Sequence, residues 1–170
     1  MQLSPELRPF KFKDTGIDVF IKKVSPNLVR ELEKAYPQPK PPVEKVNYGT
    51  DAEPDWREEE NPLNDEFRAV MDKYSAATEE RIQTLLIKRG VVMEITPEVK
   101  AQVDELRAQQ IEDFGYVLPG DDKYIFIKYI AVGTMEDLQD LLTTIMRRSQ
   151  PIQEAIEEEE DSFQGSVSGT

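Results

Sequence analysis

Residues 61–90 read NPLNDEFRAVMDKYSAATEERIQTLLIKRG, and this stretch decides the fold of the chain. Asn61-Pro62 suits a helix start, because Asn caps free N–H groups and Pro fits the first helical turn. Gly90 supplies a typical helix stop. Between them a stripe recurs at helical spacing. The stripe is formed by Phe67, Val70, Met71, Tyr74, Thr78, Ile82, Leu85 and Leu86. We predict one long helix over about residues 62–89, with this stripe facing the core.

The residues that precede this helix predict short elements. Residues 17–24 are β-branched and aromatic, which is typical of a strand. Ser25-Pro26 then starts a helix that ends by Tyr36-Pro37, since a residue before proline avoids the helical conformation. Residues 43–48 favour a second strand, which would pair with the first as a hairpin. Residues 1–14 contain two prolines and are predicted to be an irregular lead-in.

The residues that follow predict further helices. Thr96-Pro97-Glu98 starts one, and Gly115 and Pro119-Gly120 end it. Its inward side chains are expected to be Val99, Val103, Leu106, Ile111 and Phe114. Residues 124–132 have the composition of a strand, but an acidic cap and a following glycine favour a short buried helix, and both alternatives stay open. Thr134 and Asp137 resemble a capping pair before another amphipathic helix. Ser149 is expected to cap a last helix.

Together these elements predict a mainly α fold, α+β at most, with a short N-terminal strand or hairpin and the long helix. We expect a single, mostly helical domain over residues 15–163. Within it, residues 37–42 form a Pro-rich segment, for which a rigid spacer is favoured over a docking peptide. Residues 49–60 are predicted to be an acidic loop. The tail at residues 164–170 is rich in Gly, Ser and Thr and is predicted to be disordered.

The composition argues against most chemistry. The chain has 34 acidic and 21 basic residues, a net charge of −13 at pH 7, with no histidine and no cysteine. Ser-His-Asp and Cys-His catalysis are therefore excluded, and no phosphate-binding, dinucleotide or calcium-loop motif is visible. We expect no enzyme, no cofactor and no metal site. The negative charge disfavours nucleic acid and anionic membranes as partners.

Localisation follows from the absence of two signals in the sequence. No signal-peptide pattern is visible at the N-terminus. The apolar runs are too short to span a bilayer. We therefore expect the protein in the cytoplasm.

Binding to another protein is the role that remains. Trp56, in the acidic loop, either anchors a partner or packs against its own domain. The apolar face over residues 138–146 either fills the core or contacts a client helix. The acidic run at residues 157–161 is either a dock for a basic partner or a solvated helix face. The candidate partner-binding residues are Trp56, Leu138, Leu142, Ile145, Met146, Ile152, Ile156 and Phe163.

The order of several short fragments matches a known family. The fragments are VFIKKVSP at 19–26, YPQPKPP at 36–42, NP at 61–62, LLIKRGV at 85–91, a Tyr-rich apolar segment before Gly133-Thr134, MRRS at 146–149, EAI at 154–156 and SF at 162–163. In this arrangement the chain resembles the tail assembly chaperones of long-tailed, siphovirus-type phages. The fragments cover most of residues 17–163, and none is a catalytic fingerprint.

The resemblance implies a specific role. Such a protein binds the long, helical tape measure protein and keeps it soluble until tail tube subunits polymerise around it. The tail tube protein and a second copy of the chain are further partners that this interpretation allows. The family would be found in the host cytoplasm and not in the mature virion. Two alternatives stay open: a structural minor tail or neck protein of the virion, and an acidic regulatory or inhibitor protein.

Overall fold

The computed structural model describes residues 7–149, and this part of the chain is mainly α with some β. The five strands are β1 (Arg8–Lys11), β2 (Asp18–Ile21), β3 (Val43–Asn47), β4 (Trp56–Glu60) and β5 (Val91–Val92). The five α-helices among the described residues are α1 (Pro26–Ala35), α2 (Asp65–Gly90), α3 (Pro97–Phe114), α4 (Asp122–Phe126) and α5 (Met135–Ser149). A π-helical turn, Ile127–Ala131, follows α4 directly. Ile152, Ile156, Phe163, the predicted last helix and the predicted tail lie outside the described residues.

The N-terminal lead-in is not irregular throughout, and this prediction was wrong for residues 8–11. β1 pairs antiparallel with β2, from Arg8 opposite Ile21 to Lys11 opposite Asp18, and β2 pairs in turn with β5. The turn is closed at Gly16, whose φ is 70°, and its N–H donates to the carbonyl of Phe12. Proline is tolerated here because β1 is an edge strand, where one N–H need not join the ladder.

The second strand prediction holds for residues 43–47, but its predicted partner was wrong. β3 pairs with β4 and not with β2, from Val43 opposite Glu60 to Asn47 opposite Trp56. Residues 56–60, predicted to be loop, are therefore a strand. The turn between them explains the pairing: the Asn47 side chain accepts hydrogen bonds from the N–H groups of Gly49 and Asp55. A local turn of this kind fixes a hairpin more readily than a distant strand does.

The described residues divide into two compact units. The first contains the described residues up to Leu28 and from Thr84 onward, and the second contains Val29–Gln83. Every fully buried apolar side chain of residues 7–149 lies in the first unit. The second unit has no fully buried side chain. The prediction of one domain over residues 15–163 stays a prediction.

Helix α2 starts later than its sequence suggested. Asn61 accepts a hydrogen bond from the N–H of Leu63 in a preceding turn, and Asn64 is the residue whose side chain caps the helix, by accepting from the N–H of Phe67. The predicted stripe is fully buried at Leu86, whereas Val70 is 49% exposed and the other members are half-buried. The expectation that the whole stripe faces a core was therefore wrong for Val70.

Helix α3 begins where its sequence predicted and ends at Gly115, the first of the two predicted stops. Thr96 accepts a hydrogen bond from the N–H of Val99, and Gly115 ends the helix with φ of 72°. Of the predicted inward side chains, Val103 is fully buried and Val99 and Leu106 are half-buried. Ile111 and Phe114 are exposed, so their predicted burial was wrong. These two lie in the last turns of the helix, next to Gly115.

The ambiguous segment at residues 124–132 is helical over most of its length, so the favoured alternative is confirmed. Asp121 caps α4 by accepting from the N–H of Tyr124. Tyr124, Ile125, Phe126 and Ile127 are all buried. An α-helix turns by about 100° per residue, so four consecutive buried residues require neighbours on every side. This segment is therefore the centre of the first unit.

Helix α5 is fixed to the strands through a buried carboxylate. Asp137 is 2% exposed and accepts hydrogen bonds from the backbone N–H groups of Lys13 and Asp14, at 3.1 and 3.2 Å. Thr134 caps the same helix by accepting from the N–H of Asp137, as the sequence predicted. At the other end, Ser149 accepts from the N–H of Val24 at 2.9 Å. Both ends of α5 are thus tied to the residues flanking β2.

Replacing Ile145 by Ala tests whether this face of α5 is core. Ile145 is fully buried, so we expect the free energy of unfolding to fall by about 2–5 kcal/mol, from the lost burial and the cavity that remains. Met146→Ala is the matched control, because Met146 is 48% exposed, and it should cost less than about 1 kcal/mol. Urea titrations of both variants measure the difference. Equal midpoints for the two variants would contradict the packing of Ile145.

The carboxylate of Asp137 gives a second test. Asp137→Asn keeps the size but turns one acceptor into a donor that faces backbone N–H groups, so we expect a loss of about 1–3 kcal/mol. Asp140→Asn is the control. The Asp140 side chain pairs with Lys13 but is 45% exposed, so this substitution should lower the free energy of unfolding by less than about 1 kcal/mol. Hydrogen exchange should accelerate at the amides of Lys13 and Asp14 in the first variant alone. Unchanged exchange at these two amides would mean that Asp137 does not hold them by hydrogen bonds.

Candidate protein-binding surfaces

Exposed apolar and aromatic side chains are the features that single out sites in this chain. Within residues 7–149, no three His, Cys, Asp or Glu side chains are placed to hold one metal ion. No helix in the described part of the chain has the length and apolarity needed to cross a membrane. Large exposed apolar side chains are concentrated at the end of α3 and on the β3–β4 hairpin.

The first surface lies at the C-terminal end of α3, and we call it the α3 patch. It consists of Ile111, Phe114, Tyr116 and Val117, which are 50%, 65%, 54% and 61% exposed. The Phe114 and Tyr116 rings lie 6.2 Å apart between centroids, so the patch is contiguous at these two aromatic side chains. Aromatic side chains that expose this much area are typical anchors of protein interfaces.

The segment that carries the α3 patch is held in place on both sides. Leu118, the next residue after the patch, is buried. Arg107 donates one hydrogen bond to the carboxylate of Asp122, at 2.6 Å, and another to the carbonyl of Gly120, at 3.1 Å. The chain between α3 and α4 is therefore bound to α3 itself. A surface held this way loses little conformational freedom when a partner binds, which favours affinity.

A shallow groove on α3 has a different character. It has a volume of about 260 Å³ and is lined by Gln102, Glu105, Leu106, Gln109 and Ile130. This is smaller than the roughly 300–1,000 Å³ of a typical small-molecule site. Its polar lining consists of two amides and one carboxylate, Glu105, with no second ionisable group beside it. The groove therefore gives little support to a small-molecule function.

The second surface is the β3–β4 hairpin. Val43 and Trp56 are each 60% exposed, and Tyr48 is 55% exposed. The Tyr48 hydroxyl donates a 2.6 Å hydrogen bond to Glu59, which raises the pKa of this tyrosine because it stabilises the protonated form. The Arg57 guanidinium lies over the Tyr48 ring, 5.2 Å from its centroid. Tyr48 thus has partners within the hairpin, whereas Trp56 projects into solvent.

The candidate residues from the sequence fall into three groups. Trp56 and Met146 are exposed, and Leu142 is half-buried. Leu138 and Ile145 are buried in the first unit, 6% and 0% exposed. Ile152, Ile156 and Phe163 lie outside the described residues.

The α3 patch was missed because Ile111 and Phe114 fit the helical stripe. The signal that points to it is the aromatic and β-branched run around the helix stop, Phe114-Gly115-Tyr116-Val117.

Comparison with known proteins gives no relative: no protein-family model, no curated protein and no solved structure matches this chain.

The exposure of Trp56 has a direct optical consequence. It is the single tryptophan of the chain, so it alone supplies the tryptophan fluorescence. Because the side chain is 60% exposed, acrylamide should quench it nearly as efficiently in the native protein as in urea. Trp56→Phe serves as the blank, and its free energy of unfolding in urea should equal that of the parent within about 0.5 kcal/mol. Strong protection from acrylamide in the native state would mean that Trp56 packs against its own chain.

Proposed function

We propose that this protein is a tail assembly chaperone of long-tailed phages that binds the tape measure protein in the host cytoplasm. The proposal starts from the resemblance of the ordered sequence fragments across residues 17–163. The structural observation that supports it is the α3 patch, an exposed apolar surface on a strongly acidic chain. A protein that keeps a helical client soluble needs this combination.

The patch suits an amphipathic client helix. Its four side chains are apolar or aromatic and are close in the chain, so they offer area to the apolar face of one helix. Glu112 and Asp113 stand within the same sequence stretch and are exposed. Their negative charges disfavour contact between the α3 patches of two copies of the chain. They favour a client that has basic residues beside its apolar face.

The net charge of −13 explains how the complex with the client stays soluble. A client helix that covers its apolar face on the patch no longer exposes that face to other client molecules. The complex then carries the chaperone's negative charge, and like-charged complexes repel each other. Release follows when tail tube subunits cover the client with a larger interface than the patch supplies. In this scheme the chaperone is recycled and does not remain in the particle.

The test is co-expression with the long, helix-rich tape measure protein, followed by affinity purification and a solubility assay. The unmodified chain should co-purify with the client and keep it in the soluble fraction. The double variant Phe114→Ser, Val117→Ser should weaken client binding about tenfold, since it removes apolar anchors. Both positions are largely exposed, so the free energy of unfolding of this variant should stay within about 0.5 kcal/mol of that of the parent.

The matched control is Leu63→Ser with Met135→Ser. These side chains are 75% and 67% exposed but lie outside the patch, so the control should hold the client as the parent does. Equal loss in both double variants would mean that the client responds to overall hydrophobicity and not to the patch. An insoluble client, together with this chain in purified particles, would replace the chaperone with a structural tail or neck protein.

A further inference from the structure

The β3–β4 hairpin is a two-stranded sheet, and nearly all of its residues are exposed in the described part of the chain. Residues 51–60 are exposed at every position, and β3 is exposed except for half-buried Asn47. Among residues 7–149, no third strand pairs with it. An isolated hairpin of this kind is marginally stable in water, and an added strand stabilises it. The outer side of β4, which we call the open edge, is therefore a place where a partner strand gains hydrogen bonds.

The register identifies which groups face the open edge. The N–H of Tyr48 donates to the carbonyl of Asp55, and the N–H of Asn61 donates to the carbonyl of Pro42. Hydrogen-bonded pairs alternate along an antiparallel ladder, so residues 55, 57, 59 and 61 bond inward to β3. Trp56, Glu58 and Glu60 consequently direct their backbone N–H and C=O groups outward. Their side chains lie on one face, because side chains alternate along a strand.

The charge of this edge selects the partner. Residues 43–60 carry seven acidic and two basic side chains. One of the two basic side chains, Arg57, already pairs with Asp55 at 2.7 Å and belongs to the opposite face from Glu58. In the described part of the chain, Glu58 and Glu60 form no ion pair within 4 Å. The other basic side chain, Lys45, lies opposite Glu58 in the β3–β4 register and on the same face. An incoming strand thus meets two carboxylates spaced two residues apart, of which Glu60 has the apolar Val43 opposite it, followed by an exposed indole.

We infer that the open edge of β4 binds an extended, basic segment of a partner protein by strand addition. The backbone of the segment pairs with the outward N–H and C=O groups of Trp56, Glu58 and Glu60. Lysine or arginine at alternate positions faces Glu58 and Glu60, and the next basic side chain on the same face lies against the indole of Trp56. A second copy of this chain does not fit the same edge, because symmetric antiparallel pairing about Glu58 sets the two Glu58 carboxylates opposite each other. The inference concerns the hairpin and does not rest on client binding by the α3 patch.

The probe is an acetylated and amidated decapeptide that alternates Lys and Val, titrated against the full chain while Trp56 fluorescence is recorded. Binding should change the emission of Trp56 and weaken as salt is raised. The same peptide methylated on every backbone nitrogen keeps its charge but has no N–H with which to pair along the open edge. It should not bind. A peptide that alternates Glu and Val should not bind either.

Variants of the chain separate backbone pairing from charge. Glu58→Pro removes an outward N–H while leaving the inward ladder of β4 intact, so the hairpin persists and peptide binding should be lost. Glu58→Gln with Glu60→Gln keeps the backbone groups and should weaken binding by roughly tenfold. The control for net charge is Glu94→Gln with Glu33→Gln, two exposed carboxylates outside the hairpin, which should bind as the parent does.

Three results would overturn the inference. The first is equal affinity for the methylated and unmethylated Lys-Val peptides. The second is equal weakening in the hairpin and control double-Gln variants, which indicates general charge attraction. The third is self-association of the chain without peptide that Glu58→Pro abolishes, since a second copy would then occupy the open edge. Light scattering over a concentration series measures the last of these.

Discussion

The burial of the apolar run at residues 124–127 is the constraint on which the first unit depends. Four consecutive buried side chains need contacts on all sides, and the hydrogen bonds show what supplies them. Lys123 donates to the carbonyls of Lys88 and Val91, at 2.8 and 3.0 Å, which joins the run to the end of α2 and to β5. Arg107 joins it to α3 through Asp122. Thr15 donates to the carbonyl of Ala131, which joins it to the β1–β2 turn. The polar bonds thus fix the elements whose apolar faces cover the run.

Concentrating the core in one part of the chain leaves apolar side chains exposed elsewhere. The first unit contains every fully buried apolar side chain of the described residues, yet its α3 patch lies where the helix extends past Val103. The second unit, Val29–Gln83, buries no side chain fully and displays the hairpin with Trp56. Both surfaces are surrounded by acidic residues. This separation lets a strongly charged protein present apolar and strand-edge contacts without losing its folded core.

The boundaries of α3 and the start of α5 could be predicted from the sequence because their signals are local. The cap at Thr96, the stop at Gly115 and the capping hydroxyl of Thr134 act within about four residues, and each does what its residue type favours. Strand pairing could not be predicted in the same way. β4 has the sequence WREEE, which has low intrinsic preference for a strand, and it forms because the Asn47 turn places it beside β3. β1 was missed because its four residues acquire strand structure through pairing with β2.

The sequence by itself determined the acidity of the chain, its lack of histidine and cysteine, and the positions of its main helices. Composition and short-range capping fix these properties whatever the fold. The tertiary structure alone decided which apolar residues are exposed. Ile145 and Phe114 both lie on amphipathic stripes, but α5 packs along its length whereas the end of α3 extends beyond its neighbours, so the first is buried and the second is 65% exposed. Helical periodicity specifies a face, and only the neighbouring elements determine how much of that face is covered.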